Sequence, residues 1–337
     1  MSTKRRAGIA AGAVAGAAGL AVGASRIVAK RLRNRPDGEA REVLLTPIYE
    51  STTIPSHDGG TIHLVIVGTG PTIVLSHGVT LSVRTWVRQL KTLPAQGFRL
   101  VAFDHRGHGG SAVGDTGFSV ENLGDDIRTV VERLDLRDSV LVGHSMGGIA
   151  VQSFLLRHPE VAAERVKGVV LLSSLARVPL SGPRAAGLRS LIDRVGDLVP
   201  DSTKLWASPN LGFLLARVGF GRDPKPSHVE LVRQMMLECA ADTRRESPSA
   251  LLGLDLTARL AEVRIPTLVI SGTADVIAPP AESRRLAALI PGARLEMIRG
   301  GGHMLMLERA ELVDQLITDF AREVGAVAAA DPSVARG

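Results

Sequence analysis

The feature that most constrains this chain is a regular alternation between short apolar runs and longer segments with helical periodicity. Runs such as "TIVLSHG" and "RLVAF", and later "GVVLLSS" and "PTLVISG", have the length and residue types of buried strands. Segments between them, such as "VENLGDDIRTVVERLDL", repeat apolar residues at helical spacing. Strands that alternate with helices favour a mostly parallel sheet flanked by helices, so the predicted fold class is α/β.

One region interrupts this alternation. From about 176 to 251 there is no strand pattern, and helical pieces rich in Leu, Val and Ala carry Trp206, Phe213 and Phe220. We therefore predict a helical cap inserted between two strands, within a domain that spans residues 45–325. The cap is interpreted either as a lid over a site or as an additional structural layer. The Ala-rich residues 326–337 are predicted to form a flexible tail.

A serine lies where one strand pattern becomes a helix pattern. In "SVLVGHSMGGIAVQ", Ser145 stands between Gly143 and Gly147, two residues away on either side. A serine at the tip of a sharp strand-to-helix turn has strained backbone angles, and its neighbours two residues away are crowded, which requires very small residues. This pattern indicates a nucleophile elbow.

A serine nucleophile needs a base, and the base needs an orienting carboxylate. His303 follows the last strand pattern in "RGGGHMLML", and Asp275 follows the preceding one in "SGTADVIAPP". Parallel strands bring their carboxyl ends to one edge of a sheet, where such proteins place their ligands. The order Ser145, Asp275, His303 is the chain order expected of elbow-type hydrolases, so these three residues are the predicted catalytic triad.

An oxyanion hole should accompany this triad. One donor is expected from the backbone N–H that follows the nucleophile, and another from the loop after the third strand. Met146 supplies the first position. The loop His77-Gly78-Val79 supplies the second, so the backbone N–H of Val79 is the predicted partner.

The glycine-rich stretch "DHRGHGGS" (104–111) is not a dinucleotide fingerprint, because it lacks the spacing and the downstream acid, and the chain contains no P-loop. His105 and His108 could indicate a metal site, but we favour a loop whose Asp104 and Arg106 hold neighbouring loops. The single cysteine, Cys239, excludes an intrachain disulfide and a Cys-based zinc site. No metal and no cofactor is predicted.

The net charge of +6 is unevenly distributed. Eight of the 40 Lys and Arg residues lie in residues 1–36, which contain no acid, so the other 301 residues carry 32 basic against 34 acidic side chains. The basicity therefore belongs to the N-terminal segment, and no nucleic-acid partner is predicted.

Residues 1–36 also contain an uncharged run, Ala7 to Ala24, whose 18 residues would span roughly 27 Å as a helix, close to the thickness of a bilayer core. We predict a single membrane anchor, with membrane lipid as partner and its orientation undetermined. Gly8, Gly12 and Gly16 fall on one helix face and predict self-association. The alternatives are export after cleavage near Ala24 and a tail that only touches anionic lipid.

With these residues assembled, the chain resembles the α/β-hydrolase superfamily. The motifs "SHG", "DHRGHGGS", "GHSMGG", "SGTADVIAPP" and "GGGHMLMLE" stand in the order and spacing of that family. The resemblance covers about residues 45 to 325, and it is to the branch that includes esterases, monoglyceride lipases, cofactor-free haloperoxidases and C–C bond hydrolases. It implies an α/β-hydrolase fold and a Ser-His-Asp acyl-enzyme mechanism.

The expected activity is that of a serine hydrolase that cleaves small-molecule carboxylic esters. The apolar cap favours a lipophilic acyl or alcohol group. A haloperoxidase-like enzyme or a C–C bond hydrolase on the same triad is the first alternative, and a non-catalytic binding protein on the same fold is the second.

Overall fold

The apolar runs form the strands of one eight-stranded sheet. The computed structural model describes residues 25–45, 49–178 and 203–326. The strands are β1 (Ser51–Pro55), β2 (Thr61–Val67), β3 (Thr72–Ser76), β4 (Arg99–Phe103), β5 (Ser139–His144), β6 (Val166–Leu172), β7 (Thr267–Gly272) and β8 (Arg294–Ile298). They lie in the order β1-β2-β4-β3-β5-β6-β7-β8. The pairs β1–β2 and β2–β4 are antiparallel, and all the others are parallel, which confirms the predicted mostly parallel sheet.

Helices cover both faces of the sheet. In chain order they are α1 (25–33), α2 (Ala40–Leu44), α3 (Val87–Thr92), α4 (Val120–Arg133), α5 (Met146–Arg157), α6 (Pro159–Arg165), α7 (Thr203–Ala207), α8 (Leu211–Arg217), α9 (Pro226–Glu238), α10 (Ala241–Leu251), α11 (Pro280–Leu289), α12 (Leu305–Glu308) and α13 (Ala310–Glu323).

Strand β5 shows how the sheet divides the core. Because successive side chains of a strand point to opposite faces, Val140 and Val142 join the core cluster that contains α3 and α13, whereas Leu141 joins the cluster beneath α4 and α5. All six residues of β5 are buried. This explains why its sequence is a continuous apolar run rather than an alternating one.

The parallel register aligns the carboxyl ends of the strands that carry the candidate site. Ser76 of β3 pairs with Gly143 of β5, Leu172 of β6 pairs with both His144 and Ile270, and Gly272 of β7 pairs with Ile298. The loops that follow these strands therefore meet at one edge of the sheet.

The cap lies between β6 and β7, as predicted. Its described part consists of helices α7 to α10, and residues 179–202 lie outside the described residues. The bounds that we assigned to the domain and to its cap stay predictions, and most of the predicted flexible tail also lies outside the described residues.

Residues 25–45 form a packed segment, which we call the strap. The predicted hydrolase domain begins only at residue 45. Ala29 of α1 and Val43 of α2 are nevertheless fully buried in the same core cluster as α3 and α9. Pro36, Asp37 and Gly38 separate the two helices.

The predicted membrane association must be corrected. Across residues 25–45, 49–178 and 203–326, no helix combines the length and the apolar character needed to cross a bilayer. Four basic residues that follow the apolar run, Arg26, Lys30, Arg31 and Arg33, belong to α1, which packs on the fold through Ala29. The transmembrane helix and the membrane-associated localisation are therefore not retained. The run Ala7 to Ala24 itself lies outside the described residues.

The predicted self-association concerns Gly8, Gly12 and Gly16, which lie in the same undescribed part of the chain. No observation on the described residues supports it.

Candidate active site

The turn at Ser145 has the backbone geometry of a nucleophile elbow. β5 ends at His144, α5 begins at Met146, and Ser145 between them has φ 52° and ψ −118°. A serine rarely adopts a positive φ, so the turn is strained. Its N–H donates to Leu172 O at 3.0 Å, and its carbonyl accepts from Ser174 Oγ at 2.9 Å. These bonds hold the half-buried Ser145 at the edge of the sheet.

Backbone crowding explains the two glycines that flank the elbow. A Cβ added at Gly143 would lie 2.6 Å from Gly147 O, and one added at Gly147 would lie 2.3 Å from Ser76 O. Real Cβ atoms do not make contacts this short with backbone. The spacing G-x-S-x-G is therefore a steric requirement of this turn.

His303 and Asp275 lie together in the structure. The distance between His303 Nδ1 and Asp275 Oδ2 is 2.9 Å, and both side chains are buried. The other carboxylate oxygen of Asp275 accepts from the backbone N–H groups of Ile277 and Ala278, each at 2.8 Å. Because Nδ1–H donates to the carboxylate, Nε2 of a neutral His303 carries the lone pair that a general base needs.

His144 links the elbow to the loop of His303. Its Nε2–H donates to the backbone carbonyl of His303 at 3.0 Å, and the centroids of the two rings are 4.8 Å apart. Burial and the neighbouring His303 hold the pKa of His144 well below its ordinary value. The residue before the predicted nucleophile thus fixes the backbone of the predicted base. Sequence reasoning gave His144 no role.

The predicted oxyanion donors lie on either side of the elbow. Met146 is the first residue of α5, and N–H groups in the first turn of a helix have no intrahelical partner. The loop that contains Val79 lies against the elbow, because a Cβ added at Gly78 would lie 3.2 Å from Ser145 Cβ. Both backbone donors therefore belong to elements that meet at Ser145.

The loop "DHRGHGGS" holds its neighbours in place, as we favoured. The buried Arg106 forms ion pairs with Asp126 at 2.7 Å and with Asp58 at 2.9 Å. Asp104 accepts from the N–H of Val83 at 2.7 Å and pairs with His63 at 2.8 Å. Burial raises the pKa of Asp58, but hydrogen bonds from Arg106, Thr116 and Ser56 outweigh it and hold the pKa below its ordinary value.

The cap contacts the loop of His303 directly. The carbonyl of Gly219 accepts from His303 N at 2.9 Å and from Met304 N at 3.2 Å. Glu308 accepts from Gly221 N at 2.7 Å and from Gly302 N at 3.1 Å, and burial raises the pKa of its carboxyl group. Sequence reasoning missed Glu308, although it ends the quoted motif "GGGHMLMLE".

An exposed apolar rim borders this part of the cap. Val218 and Leu215 of the cap, and Val276 and Ile277 beside Asp275, are between 38% and 67% exposed. A Cβ added at Gly219 would lie 3.7 Å from Ile277 Cδ1, so the two parts of the rim adjoin. The predicted site therefore lies next to apolar surface.

Comparisons with known proteins agree with this architecture. The family model described as alpha/beta hydrolase fold matches residues 71–310. The non-heme chloroperoxidase CPO-A1 of Kitasatospora aureofaciens is 30% identical over 254 residues, which are 74% of this chain and 90% of that protein.

Two solved structures extend the comparison. A hydrolase from Pseudomonas aeruginosa PA01 superposes with a TM-score of 0.69 at 27% identity, covering 80% of this chain and 98% of its own. A thermophilic esterase from Thermogutta terrifontis superposes with a TM-score of 0.67 at 26% identity, covering 82% and 99%.

Proposed function

The chain belongs to the α/β-hydrolase family and is a hydrolase, and we propose that it cleaves carboxylic esters with Ser145 as nucleophile. The observation that carries the proposal is the pairing of His303 with Asp275 at the sheet edge where Ser145 occupies a strained turn. The ester bond is supported by the similarity to the Thermogutta terrifontis esterase.

The proposed mechanism has two steps. Ser145 Oγ attacks the carbonyl carbon while His303 Nε2 accepts its proton, and Asp275 stabilises the resulting imidazolium. His303 then protonates the leaving alcohol, which gives an acyl-enzyme. In the second step His303 takes a proton from water, the hydroxide attacks the acyl carbon, and Ser145 regains its proton as the acid departs.

The backbone N–H groups of Met146 and Val79 are proposed to bind the oxyanion of each tetrahedral intermediate. Removing one such donor typically lowers turnover by about 10²–10³-fold, so this pair would provide a large share of the catalysis. Met146 adds the partial positive charge at the N-terminus of α5, which favours negative charge at the same place.

The proposed substrate is a lipophilic ester. The exposed rim of Leu215, Val218, Val276 and Ile277 offers apolar contacts to an acyl or alcohol chain that extends from the site.

The second candidate is a haloperoxidase-like activity on the same residues. It is favoured by one observation, the 30% identity to a non-heme chloroperoxidase. Peroxide-dependent halogenation without ester cleavage would support this candidate over an esterase.

A fluorophosphonate probe tests the proposal, because it labels an activated serine covalently. The wild type should be labelled and should hydrolyse p-nitrophenyl esters, and Ser145→Ala should lose both properties. Ser153→Ala, a buried serine two turns further along α5, is the matched control and should be labelled like the wild type. A folded wild type that is neither labelled nor active on esters would overturn the proposal.

A further inference from the structure

The backbone around Val79 is pinned on both sides by histidine side chains. On the first side, the carbonyl of Gly78 accepts from His77 Nδ1–H at 2.7 Å and from Leu81 N at 3.3 Å. In a trans peptide the C=O and the following N–H point in opposite directions. The direction of the Val79 N–H therefore follows from that of the Gly78 carbonyl, which is held in part by the turn from Gly78 to Leu81.

On the second side, the N–H of Thr80 donates to His108 Nε2 at 3.0 Å. Thr80 has φ 59°, and its hydroxyl donates to Val79 O at 2.7 Å. A β-branched residue at positive φ is strained, so this conformation needs the surrounding contacts to hold it. The bond to His108 is the contact that fixes the peptide after Val79.

The two ring nitrogens of His108 have defined roles. Nδ1–H donates to the carbonyl of Arg106 at 3.0 Å, so Nε2 is the acceptor for Thr80. His108 is fully buried, and burial lowers its pKa to about 3, which keeps it neutral. Its anchor is also fixed, because Arg106 is held by Asp126 and Asp58.

We propose that His108 is a positioning residue for the oxyanion hole, which aims the N–H of Val79 by holding the Thr80 peptide. The inference rests on the proposed function, since it requires Val79 to be an oxyanion donor. It assigns a specific role to one histidine of "DHRGHGGS", whereas the sequence indicated only a loop-holding function for that stretch.

The test compares His108→Leu with His108→Gln. Leucine removes the acceptor for Thr80 N–H, whereas the side-chain carbonyl of glutamine reaches about as far as Nε2 and can accept in its place. The readouts are kcat, KM, thermal stability and the inhibition constant of a trifluoromethyl ketone, whose adduct with serine carries an oxyanion.

In His108→Leu, kcat should fall roughly 10–100-fold, because a misdirected oxyanion donor costs no more than a missing one, which lowers turnover by about 10²–10³-fold. The KM should stay within about twofold of the wild-type value. The inhibition constant of the trifluoromethyl ketone should rise by the same factor as kcat falls. His108→Gln should recover most of both losses. A role limited to folding would lower thermal stability without this parallel change.

His158→Leu is the matched control. His158 forms a 2.6 Å hydrogen bond to Asp125 and is the C-cap of α5, so it lies roughly 20 Å from Ser145 along that helix. It should leave kcat and the inhibition constant unchanged.

The outcomes separate the two proposals. An unlabelled, inactive wild type would overturn the proposed function and this inference with it. An active wild type whose His108→Leu variant keeps its kcat and its affinity for the ketone would overturn the inference alone. If His108→Leu does not fold, His108→Gln decides by itself, because a folded glutamine variant with a more than 100-fold loss in kcat contradicts the proposed acceptor role.

Discussion

Three strained backbone conformations lie at the carboxyl edge of the sheet. Among the described residues other than glycine, positive φ occurs at Thr80, Asp135, Asp138, Ser145 and Ser173. Thr80 lies in the loop after β3, Ser145 directly follows β5 and Ser173 directly follows β6. Such strain persists only where the surroundings impose it, and it is typical of active sites. Three of the five residues thus lie at the carboxyl edge of the sheet, whereas Asp135 and Asp138 precede β5 at the opposite edge.

Asp275→Asn tests whether Asp275 orients the predicted base. The asparagine would favour the wrong tautomer of His303, so kcat should fall by about 10³–10⁴-fold with the fold intact. The measurement is the rate of p-nitrophenyl ester hydrolysis alongside circular dichroism. Near-normal turnover would show that another carboxylate orients His303.

Gly147→Ala tests the steric basis of the elbow. The added Cβ would meet Ser76 O at 2.3 Å, so the turn must open. We expect destabilisation of about 1–3 kcal/mol, as for other overpacked sites, and loss of fluorophosphonate labelling. Gly38→Ala is the control, because a Cβ there meets nothing within 4 Å. Equal melting temperatures for the two variants would contradict the crowding argument.

At the scale of single residues, candidate site residues that follow strand ends could be predicted from the sequence. Residues that act through contacts with distant parts of the chain could not. Ser145, Asp275 and His303 could be predicted as a set because motif, strand pattern and chain order coincide. Glu308 was not, because its partner Gly221 is 87 residues away and no local pattern records that contact.

At the scale of elements, the strap connects the cap to the core. Asp37 accepts from Ser227 N at 2.6 Å, at the start of α9, and Arg33 lies 4.6 Å from the ring centroid of Phe213 in α8. The carboxylate of Glu39 forms ion pairs with Lys225 and His228 of the cap. Its Oε2 lies 3.5 Å from Nη1 of Arg88 in α3. One segment thus contacts two cap helices and the core.

Asp37→Ala should weaken this attachment. The carboxylate of Asp37 acts as an N-cap for α9 from another part of the chain, and losing an N-cap costs about 0.5–2 kcal/mol. Chemical denaturation should show the loss. Asp223→Ala is the control, because Asp223 is 80% exposed in its ion pair with Arg35, and it should change stability by less than about 0.5 kcal/mol.

Acidic pH should weaken the docking of the strap on the cap. Burial opposes ionisation of Asp37 and Glu39, but hydrogen bonds from Ser227 and Lys225 outweigh it and leave both pKa values below normal. A lowered folded-state pKa stabilises docking above the ordinary carboxyl range of about pH 4, and this stabilisation is lost as pH falls through the lowered values.

Hydrogen–deuterium exchange of residues 34–45, corrected for the intrinsic effect of pH, measures this release. Exchange should rise below about pH 4 in the wild type. An Asp37→Asn/Glu39→Gln variant should exchange rapidly at all pH values. Identical pH profiles for the two proteins would contradict the assignment.

The strap also shows the limit of sequence reasoning for elements. Its packing could not be predicted, because nothing local distinguishes a solvated carboxylate from one that accepts a hydrogen bond from a backbone N–H 190 residues away. The strands and the main helices were predictable because their apolar spacing is local.

At the scale of the whole molecule, the predicted site lies beside an apolar rim, in a domain whose net charge is close to zero. Binding of an ester chain to this rim should gain about 0.8 kcal/mol per buried methylene, or about fourfold in affinity. Specificity for p-nitrophenyl esters should therefore rise from acetate to medium chains, mainly through KM, and then level off.

Val218→Asp should flatten that dependence, because Val218 is 55% exposed on the rim. Leu312→Asp, 46% exposed on α13, should not. A wild type that prefers the acetate ester would contradict the proposal of a lipophilic substrate.

The strap has a mechanical consequence. Its contacts reach α8 and α9 and, through Arg88, α3, whereas the family model begins only at residue 71. A pulling force applied at residue 25 would therefore act on α8, α9 and α3 together through these contacts. The cap helices α8 and α9 would therefore bear part of any tension on the segment that precedes the residues matched by the family model.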